Sequence, residues 1–290
     1  MWWCLVMAVV LVGCGDADDE TDGEGPEPTS MRSEPGFECT LDHYPGSFQV
    51  TAMRGGVPDA EVSGNTLGSL LAARQAGYRH VEVDFRLSAD DVLISAHNPS
   101  TITCGSVRER PAADLLACEN GGSHPATLDE LLSMDFDSIL IDLKDSEDGS
   151  DALLEAAALR AIDDIVAFER EHVAALMLYR ATDAISERLT TTGVRTALKG
   201  YPASPADVRE FIAHAQLEQF DFICVRAVHV TPTLVAEAAD VGVWFLPWDY
   251  AEPANVAHWQ SLARSGIGGL IVADPTLADP LVDQFQPLCE

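Results

Sequence analysis

The chain has 290 residues, 47 acidic against 17 basic side chains, and a formal net charge of -30. This acidic balance argues against nucleic acid as a partner, because nucleic acid phosphates are neutralised by lysine and arginine. It is compatible with divalent cations. The chain has only two lysines, Lys144 and Lys199, and both fall at the carboxyl ends of predicted strands.

Residues 1–14 are predicted to be a lipoprotein signal segment. An apolar run ends in Leu11-Val12-Gly13-Cys14, which resembles a bacterial lipobox with Cys14 as the lipidated residue. The run is shorter than the ~20 apolar residues that span a bilayer, so a cleaved signal fits better than a membrane-spanning helix. No Lys or Arg precedes Arg32, and a buried N-terminal strand is the alternative. We expect an extracytoplasmic protein, lipid-anchored to a bacterial cell envelope membrane.

Residues 15–38 are predicted to be a disordered acidic linker. They are rich in Asp and Glu, separated mainly by Gly and Pro, with almost no apolar side chain. Such a segment buries too little surface to offset its chain entropy. The linker therefore separates the anchor from a folded domain, residues 39–290, which we expect to be a monomer.

Cysteine usage agrees with an oxidising compartment, where disulfides persist. The five cysteines beyond the signal segment are Cys39, Cys104, Cys118, Cys224 and Cys289. Cys104 and Cys118 bracket a short loop and are a candidate disulfide, and Cys39 and Cys289 are positioned to join the ends of the domain. Cys224 lies in an apolar strand pattern and is expected to be a buried free thiol. Five free thiols are the alternative, because connectivity does not follow from sequence.

About 250 residues follow the linker, the usual size of a (β/α)8 barrel. Short apolar runs alternate with helical patterns, which predicts a parallel sheet. The predicted strands are Phe48–Ala52, Val81–Phe85, Ile139–Asp142, Ala175–Tyr179, Val194–Leu198, Phe220–Val225, Val243–Pro247 and Gly269–Ala273. The predicted helices are Thr66–Ala76, Thr127–Met134, Ala152–Glu171, Asp183–Thr191, Pro205–Ala215, Pro232–Val241 and Ala254–Ser265. Eight strands predict a closed barrel, and only residues 99–125 interrupt the alternation.

Polar residues follow the early strands in a recognisable order. The chain reads Met53-Arg54-Gly55-Gly56, Gly64-Asn65-Thr66, Glu82-Val83-Asp84 and His97-Asn98-Pro99. This series resembles the glycerophosphodiester phosphodiesterase family, which shows His-Arg-Gly, Pro-Glu-Asn-Thr, Glu-x-Asp and His-Asp at similar spacing. The resemblance implies a TIM barrel with a small insertion after the second strand, here braced by the Cys104–Cys118 disulfide.

A metal site is predicted from three carboxylates. Glu82 and Asp84 are two apart in a strand and point to the same side, and Asp142 ends the next predicted strand. Paired carboxylates repel each other unless a cation lies between them, and oxygen ligands suit Ca²⁺ or Mg²⁺. For a single acid, a solvated strand end would be the simpler interpretation.

The resemblance also implies the remaining site residues. Arg54 and Lys144 would hold the phosphate, and His97 would act as general acid or base. Gly55, Asn65 and Trp248 would line the substrate pocket, although core packing is the alternative for Trp248. The implied reaction is hydrolysis of a small phosphodiester, either a glycerophosphodiester or a lysophospholipid head group.

Three residues depart from the family pattern: Met53 replaces a catalytic histidine, Gly64 replaces a glutamate and Asn98 replaces an aspartate. A thioether neither donates nor accepts a proton, and loss of one acid–base group typically slows a reaction ~10²–10⁴-fold. His229, after the sixth predicted strand, is a candidate substitute. The alternative is an impaired barrel that binds metal and phosphodiester without turnover.

Overall fold

The computed structural model describes residues 48–56, 63–101, 104–144, 150–250 and 255–284, all within one unit of the chain, Thr40–Glu290. The predictions for the signal segment with Cys14, the linker, Cys39 and Cys289 lie outside the described residues. Within the described ranges, no helix combines the length and apolar character that crossing a membrane requires.

The described strands and helices alternate along most of the chain, as the sequence predicts. The strands are β1 (Gln49–Met53), β2 (His80–Leu87), β3 (Leu93–Ser95), β4 (Ser100–Thr101), β5 (Gly105–Ser106), β6 (Ser138–Leu143), β7 (Ala174–Leu178), β8 (Arg195–Lys199), β9 (Phe222–Cys224), β10 (Trp244–Phe245), β11 (Trp248–Asp249) and β12 (Gly269–Val272). The helices are α1 (Leu67–Gln75), α2 (Ala112–Leu116), α3 (Leu128–Leu132), α4 (Asp151–Ala167), α5 (Asp183–Thr192), α6 (Pro205–Leu217), α7 (Pro232–Ala239), α8 (Val256–Arg264) and α9 (Asp279–Gln284).

The main sheet is a parallel barrel whose seventh strand is divided. Strand order is β10-β9-β8-β7-β6-β2-β1-β12-β11, so both ends of this path belong to the segment 244–249. β10 pairs with β9, the chain then breaks at Leu246-Pro247, and β11 pairs with β12. The break closes the ring, because one segment reaches both neighbours. The predicted (β/α)8 barrel is therefore confirmed, although the seventh strand was predicted to be continuous.

Apolar side chains fill two separate layers. The larger core lies between the strands and the surrounding helices and includes Phe85, Leu176 and Trp259. A smaller set, the inner cluster, lies on the opposite face of the strands and consists of Leu140, Ala175, Met177, Ala197, Phe222, Cys224, Leu246 and Ile271. Strand alternation explains the two layers, because successive side chains point to opposite faces. Cys224 is a buried free thiol, as predicted.

The insertion after β2 is built from short elements. β3 pairs antiparallel with the end of β2, β4 and β5 form a two-stranded ladder, and α2 follows a 3₁₀ turn at Val107–Glu109. The predicted Cys104–Cys118 disulfide is present. Cys104 packs with Ile94, Val107 and Leu115 in a small apolar cluster. A disulfide supports a segment whose own core is this small.

Helix starts are encoded by capping residues. The hydroxyl groups of Thr66 and Thr127 accept hydrogen bonds from the backbone N–H groups of Ser69 and Glu130. The side chains of Ser69 and Glu130 accept from the threonine backbone N–H groups in return, which completes a capping box at α1 and at α3. Capping of this kind satisfies backbone donors that a helix leaves open. The cap at Thr66 has a further effect, because it fixes the backbone next to Asn65 at the carboxyl end of β1.

Candidate metal and phosphate site

Three carboxylates meet at the carboxyl ends of β2 and β6. These strands pair in register, with Asp84 beside Asp142, and Glu82 lies two residues earlier on the same face of β2. One carboxylate oxygen from each residue lies within 4.8 Å of the others. All three residues are buried, at 4%, 1% and 2% relative exposure for Glu82, Asp84 and Asp142. The sequence prediction thus named three residues that the fold brings together.

Three cationic side chains surround these carboxylates. Arg54 Nε lies 3.0 Å from Asp84 Oδ2, and Lys144 Nζ lies 3.1 Å from Asp84 Oδ1. Lys144 Nζ also lies 2.8 Å from Asp142 Oδ2, and Lys199 Nζ contacts the same oxygen. The Arg54 side chain keeps 41% exposure, whereas the Lys144 side chain keeps 2%. Arg54 is therefore the cation of this group with the most surface available to a ligand.

Asn65 connects the turn after β1 to the carboxylates. Its Nδ2 donates to Asp84 Oδ2 at 2.7 Å, and its Oδ1 accepts from the Asp84 backbone N–H at 3.1 Å. Asn65 has φ 59° and Arg54 has φ 60°, a left-handed conformation that is uncommon outside glycine but tolerated by Asn. The Arg54 backbone N–H in turn donates to Glu82 Oε2 at 3.0 Å. Two carboxylates are thus oriented by Arg54 and Asn65, which are themselves joined, since the Asn65 backbone N–H donates to the Arg54 carbonyl at 2.8 Å.

The close packing of charges separates the pKa values of the carboxylates. Burial, with the neighbouring Asp84 and Asp142 charges, raises the pKa of Glu82 to about 8. Burial acts in the same direction on Asp84, but Lys144, Arg54 and the Asn65 hydrogen bond outweigh it and lower the pKa of Asp84 to about 2. Burial also raises the pKa of Asp142. At neutral pH Glu82 therefore carries a proton that a cation would replace.

The carboxylates have the chemistry that a hard divalent cation requires. Asp142 Oδ1 is buried and has no hydrogen-bond partner among the described residues. A buried acceptor without a partner is costly, and a cation would satisfy it. Oxygen ligands of this type suit Mg²⁺ or Ca²⁺. Glu82, Asp84 and Asp142 thus fit a divalent cation, with Lys199 as a competing positive charge on one of them.

His97 lies at the edge of the site, after β3. Its Nδ1 pairs with Asn98 Oδ1 at 2.9 Å. Arg86, which shares the inward face of Glu82 and Asp84 on β2, donates from Nε and from a terminal NH₂ to the His97 carbonyl, at 3.3 and 3.2 Å. The His97 backbone is therefore held next to the strand that carries two of the carboxylates, while its ring remains partly exposed.

Met53 occupies the last position of β1, in register with Glu82. Its side chain is half-buried and packs against the inner cluster. The thioether therefore contributes apolar contacts where a proton-transfer group would face the carboxylates. Gly64 lies nearby: a Cβ there would come within 3.0 Å of Arg54 Cβ and 3.3 Å of Arg54 O. A larger residue at position 64 would require Arg54 to shift by a few tenths of an ångström.

Gly55 has a clear steric role. It has φ 61°, and a Cβ at this position would lie 2.7 Å from Leu70 Cδ2. Glycine therefore lets the turn after Arg54 pack directly against α1. His229 lies on the 3₁₀ turn Ala227–His229 after β9 and is half-buried. Its use as a substitute catalytic group stays a prediction.

A row of aromatic rings extends from the cation site across the barrel mouth. Tyr179, Tyr201, Trp248 and Tyr250 follow one another at centroid distances of 6.1, 5.8 and 5.6 Å. Lys199 Nζ lies 5.6 Å from the Tyr179 centroid and 5.9 Å from the Tyr201 centroid. The sequence pointed to Trp248 alone, because the three tyrosines follow different strands and show no common spacing.

Asp249 anchors the far end of this row. Asp249 is 1% exposed. Its carboxylate accepts hydrogen bonds from Trp259 Nε1 at 3.0 Å, from Asn255 Nδ2 at 3.0 Å and from the Tyr250 backbone N–H at 2.9 Å. A carboxylate that receives three donors fixes the segment carrying Trp248 and Tyr250. The only sequence signal for this role was an acid next to an aromatic residue at a strand end.

Comparison with known proteins agrees with this geometry. Residues 54–277 match the glycerophosphoryl diester phosphodiesterase family. The chain belongs to this family, and the resemblance drawn from its motifs is confirmed. The matched region begins at Arg54, so Met53 lies just outside it. Comparison with curated protein sequences gives no significant match.

Solved structures show the same fold at low identity. A Silicibacter pomeroyi protein described as a glycerophosphoryl diester phosphodiesterase has a TM-score of 0.68 and 20% identity, over 84% of this chain and 96% of its own. The glycerophosphodiester phosphodiesterase of Thermotoga maritima has a TM-score of 0.62 and 18% identity, over 81% and 98%. An Oleispira antarctica phosphodiesterase in complex with the product sn-glycerol-3-phosphate has a TM-score of 0.61 and 16% identity, over 81% and 97%.

Proposed function

We propose that the chain is a metal-dependent phosphoric diester hydrolase that acts on glycerophosphodiesters or on lysophospholipid-type head groups. The observation that carries the proposal is the buried group of Glu82, Asp84 and Asp142 beside Arg54 and Lys144, at the carboxyl ends of barrel strands. Active sites of TIM barrels lie at this end. Family membership supports the reaction class, and the Oleispira phosphodiesterase, bound to sn-glycerol-3-phosphate, supports a glycerophosphate-type ligand.

A divalent cation, Ca²⁺ or Mg²⁺, would be held by the three carboxylates and would neutralise charge on the phosphate. Arg54 presents a guanidinium fork suited to two phosphate oxygens. Lys144, fixed between Asp84 and Asp142, adds a positive charge next to the same position. Asn65 keeps Asp84 oriented through both of its amide atoms. These residues bind and orient the phosphodiester.

His97 is the candidate for moving a proton. Its Nδ1 faces a neutral amide oxygen of Asn98 rather than a carboxylate. The aromatic row from Tyr179 to Tyr250 offers an apolar surface for the part of the substrate beyond the phosphate. An extracytoplasmic location, attachment through Cys14 and a monomeric state complete the proposal.

Met53 favours a second candidate function. Because a thioether transfers no proton, and because this side chain packs in register with Glu82, the barrel would bind a metal and a phosphodiester without turnover. In this alternative the cation and phosphate contacts serve recognition alone.

The deciding experiment measures hydrolysis of glycerophosphocholine and of lysophosphatidylcholine by the full chain with Ca²⁺ or Mg²⁺. Met53→His and His97→Ala are assayed in parallel, with a chelator as the metal control. Activity of the native chain that is lost in His97→Ala and with chelator supports the hydrolase. Activity that remains with chelator contradicts the metal role. Turnover only in Met53→His, with native binding retained, supports the binding protein.

A further inference from the structure

The two lysines of the chain converge on a single oxygen. Lys144 Nζ lies 2.8 Å from Asp142 Oδ2, and Lys199 Nζ contacts the same atom from β8. The remaining basic side chains, 15 of the 17, are arginines. Lysine presents a compact ammonium, whereas arginine presents a wide planar fork. Both lysine ammonium groups therefore lie at the carboxylate site, where a small inorganic cation would also bind.

The two ammonium groups differ in how they are held. Lys144 is placed between two carboxylates, since it also lies 3.1 Å from Asp84 Oδ1. Lys199 shares Asp142 with Lys144, and its Nζ also lies 5.6 and 5.9 Å from the ring centroids of Tyr179 and Tyr201. An ammonium is stabilised over such rings. Both ring distances apply while Lys199 contacts Asp142, and Tyr201 is 58% exposed, so these rings are neighbours toward which the ammonium would move on leaving Asp142.

Asp142 is the carboxylate with an unfilled oxygen. Its Oδ1 has no hydrogen-bond partner among the described residues, although the residue is 2% exposed. A cation that used both oxygens of Asp142, or approached Oδ2 closely, would meet the Lys199 ammonium on that atom. Lys144 and Lys199 already place two ammonium groups on Oδ2, so a divalent cation there would add a third positive centre and repel both ammonium groups strongly. Because Asp84 also holds Lys144, Lys199 is the ammonium expected to move.

We propose that Lys199 and the divalent cation compete for Asp142, so that binding of the cation moves the Lys199 ammonium toward Tyr179 and Tyr201. There Lys199 faces the barrel mouth and becomes a further contact for a phosphate oxygen. This second step rests on the proposed function, whereas the competition itself does not. Lys199 thus balances the charge of Asp142 when the cation is absent and binds ligand when it is present.

The first test measures Mg²⁺ affinity of the full chain by calorimetry in the native protein, in Lys199→Met and in Arg226→Met. Loss of a directly competing charge is expected to raise Mg²⁺ affinity at least ~10-fold in Lys199→Met. Arg226 is a matched control, because it is another rim cation, 5.6 Å from the Trp248 centroid, without a described contact to Asp142. Its removal is expected to change affinity less than ~3-fold. Equal gains in both variants, or no gain in Lys199→Met, would overturn the competition.

The second test needs no change at Lys199. Lysine labelled with ¹³C at Cε gives two side-chain signals in the whole chain, because it has two lysines, and Lys144→Arg identifies them. The Lys199 signal is expected to shift during a Mg²⁺ titration with the midpoint found by calorimetry. A Lys199 signal that stays unchanged at saturating Mg²⁺ refutes the displacement even if Lys199→Met does not fold.

The phosphate contact is tested with sn-glycerol-3-phosphate in saturating Mg²⁺. Lys199→Met is expected to weaken its binding ~10-fold relative to the native chain, the typical loss of a charge-assisted contact. Equal affinity would remove Lys199 from the phosphate contact. If the native chain binds Mg²⁺ competitively with Lys199 but binds no phosphate, the proposed function fails and the competition stands.

Discussion

Cation binding is predicted to release a proton from Glu82. Burial raises the pKa of this carboxyl to about 8, and a divalent cation requires the ionised form. At pH 7 a group with that pKa is protonated in roughly nine of ten molecules, so binding releases roughly 0.9 proton. Affinity is expected to rise about tenfold from pH 6 to 7, about fivefold from pH 7 to 8, and to level off above the pKa.

The assay is calorimetry of Mg²⁺ binding in two buffers with different ionisation enthalpies. The difference in observed heat gives the number of protons released. Glu82→Gln is the control, because it keeps the shape and one oxygen ligand but has no proton to lose. A native chain that releases no proton at pH 7, or a Glu82→Gln variant with unchanged pH dependence, would refute the linkage to Glu82.

Three further predictions concern stability. In the cation-free chain, the contribution of Glu82 to stability is fully present below about pH 4.5 and is lost as pH rises through about 8, because the native state holds a proton that the unfolded chain has released. Denaturant unfolding should therefore show a free energy of unfolding that declines by at most ~1.4 kcal/mol per pH unit. Glu82→Gln should remove this decline. Asn65→Ala should lower the free energy of unfolding by about 2–3 kcal/mol, because two buried hydrogen bonds are lost and alanine is strained at φ 59°. Asn65→Gly loses the same bonds without the strain and should be less destabilised. Equal losses in the two variants would contradict the role of strain. Asp249→Ala should lower it by about 3–5 kcal/mol, since Trp259 Nε1 loses its acceptor, and lower Tm by roughly 10 °C; Asp249→Asn, which keeps an oxygen acceptor, should retain most of this stability.

The barrel and the carboxylates were predictable because they depend on local patterns. Strand alternation alone places Glu82 and Asp84 on one face, and Asp142 follows because consecutive strands of a parallel barrel are usually neighbours. Strand order alone does not give the register that puts Asp84 beside Asp142, and the structure supplied that detail.

Other parts of the site depend on contacts that the sequence does not encode locally. Lys199 reaches Asp142 from β8, which is two strands away from β6. The sequence signals for Lys199 were the scarcity of lysine and its position at the end of a predicted strand, and neither indicated its partner. The aromatic row depends on how far each strand extends at the mouth, which strand stagger decides. The seventh strand divides at Pro247, which has no N–H to donate to a sheet, but the pairing of its two halves with different neighbours is a long-range feature.

The insertion was predicted as an interruption but not as a structure. β4 and β5 have two residues each, too few for any alternation of polar and apolar side chains to appear. Their pairing places Ser100 beside Ser106 and Thr101 beside Gly105. Short elements of this kind are recognised only in three dimensions.

The pairing of β1 with β12 means that the barrel closes only when the end of the chain is present. Gln49 lies beside Gly269, so the opening strand of the barrel acquires one of its two neighbours from the far end of the chain. β11 depends on the same partner. A chain cut before Gly269 would therefore leave two strands with exposed hydrogen-bonding edges. Such edges pair with strands of other chains and promote aggregation. Incomplete copies of this protein are accordingly expected to aggregate rather than to persist as soluble partial barrels, and the Arg54 turn, carried by β1, gains its final support only when the last strand is in place.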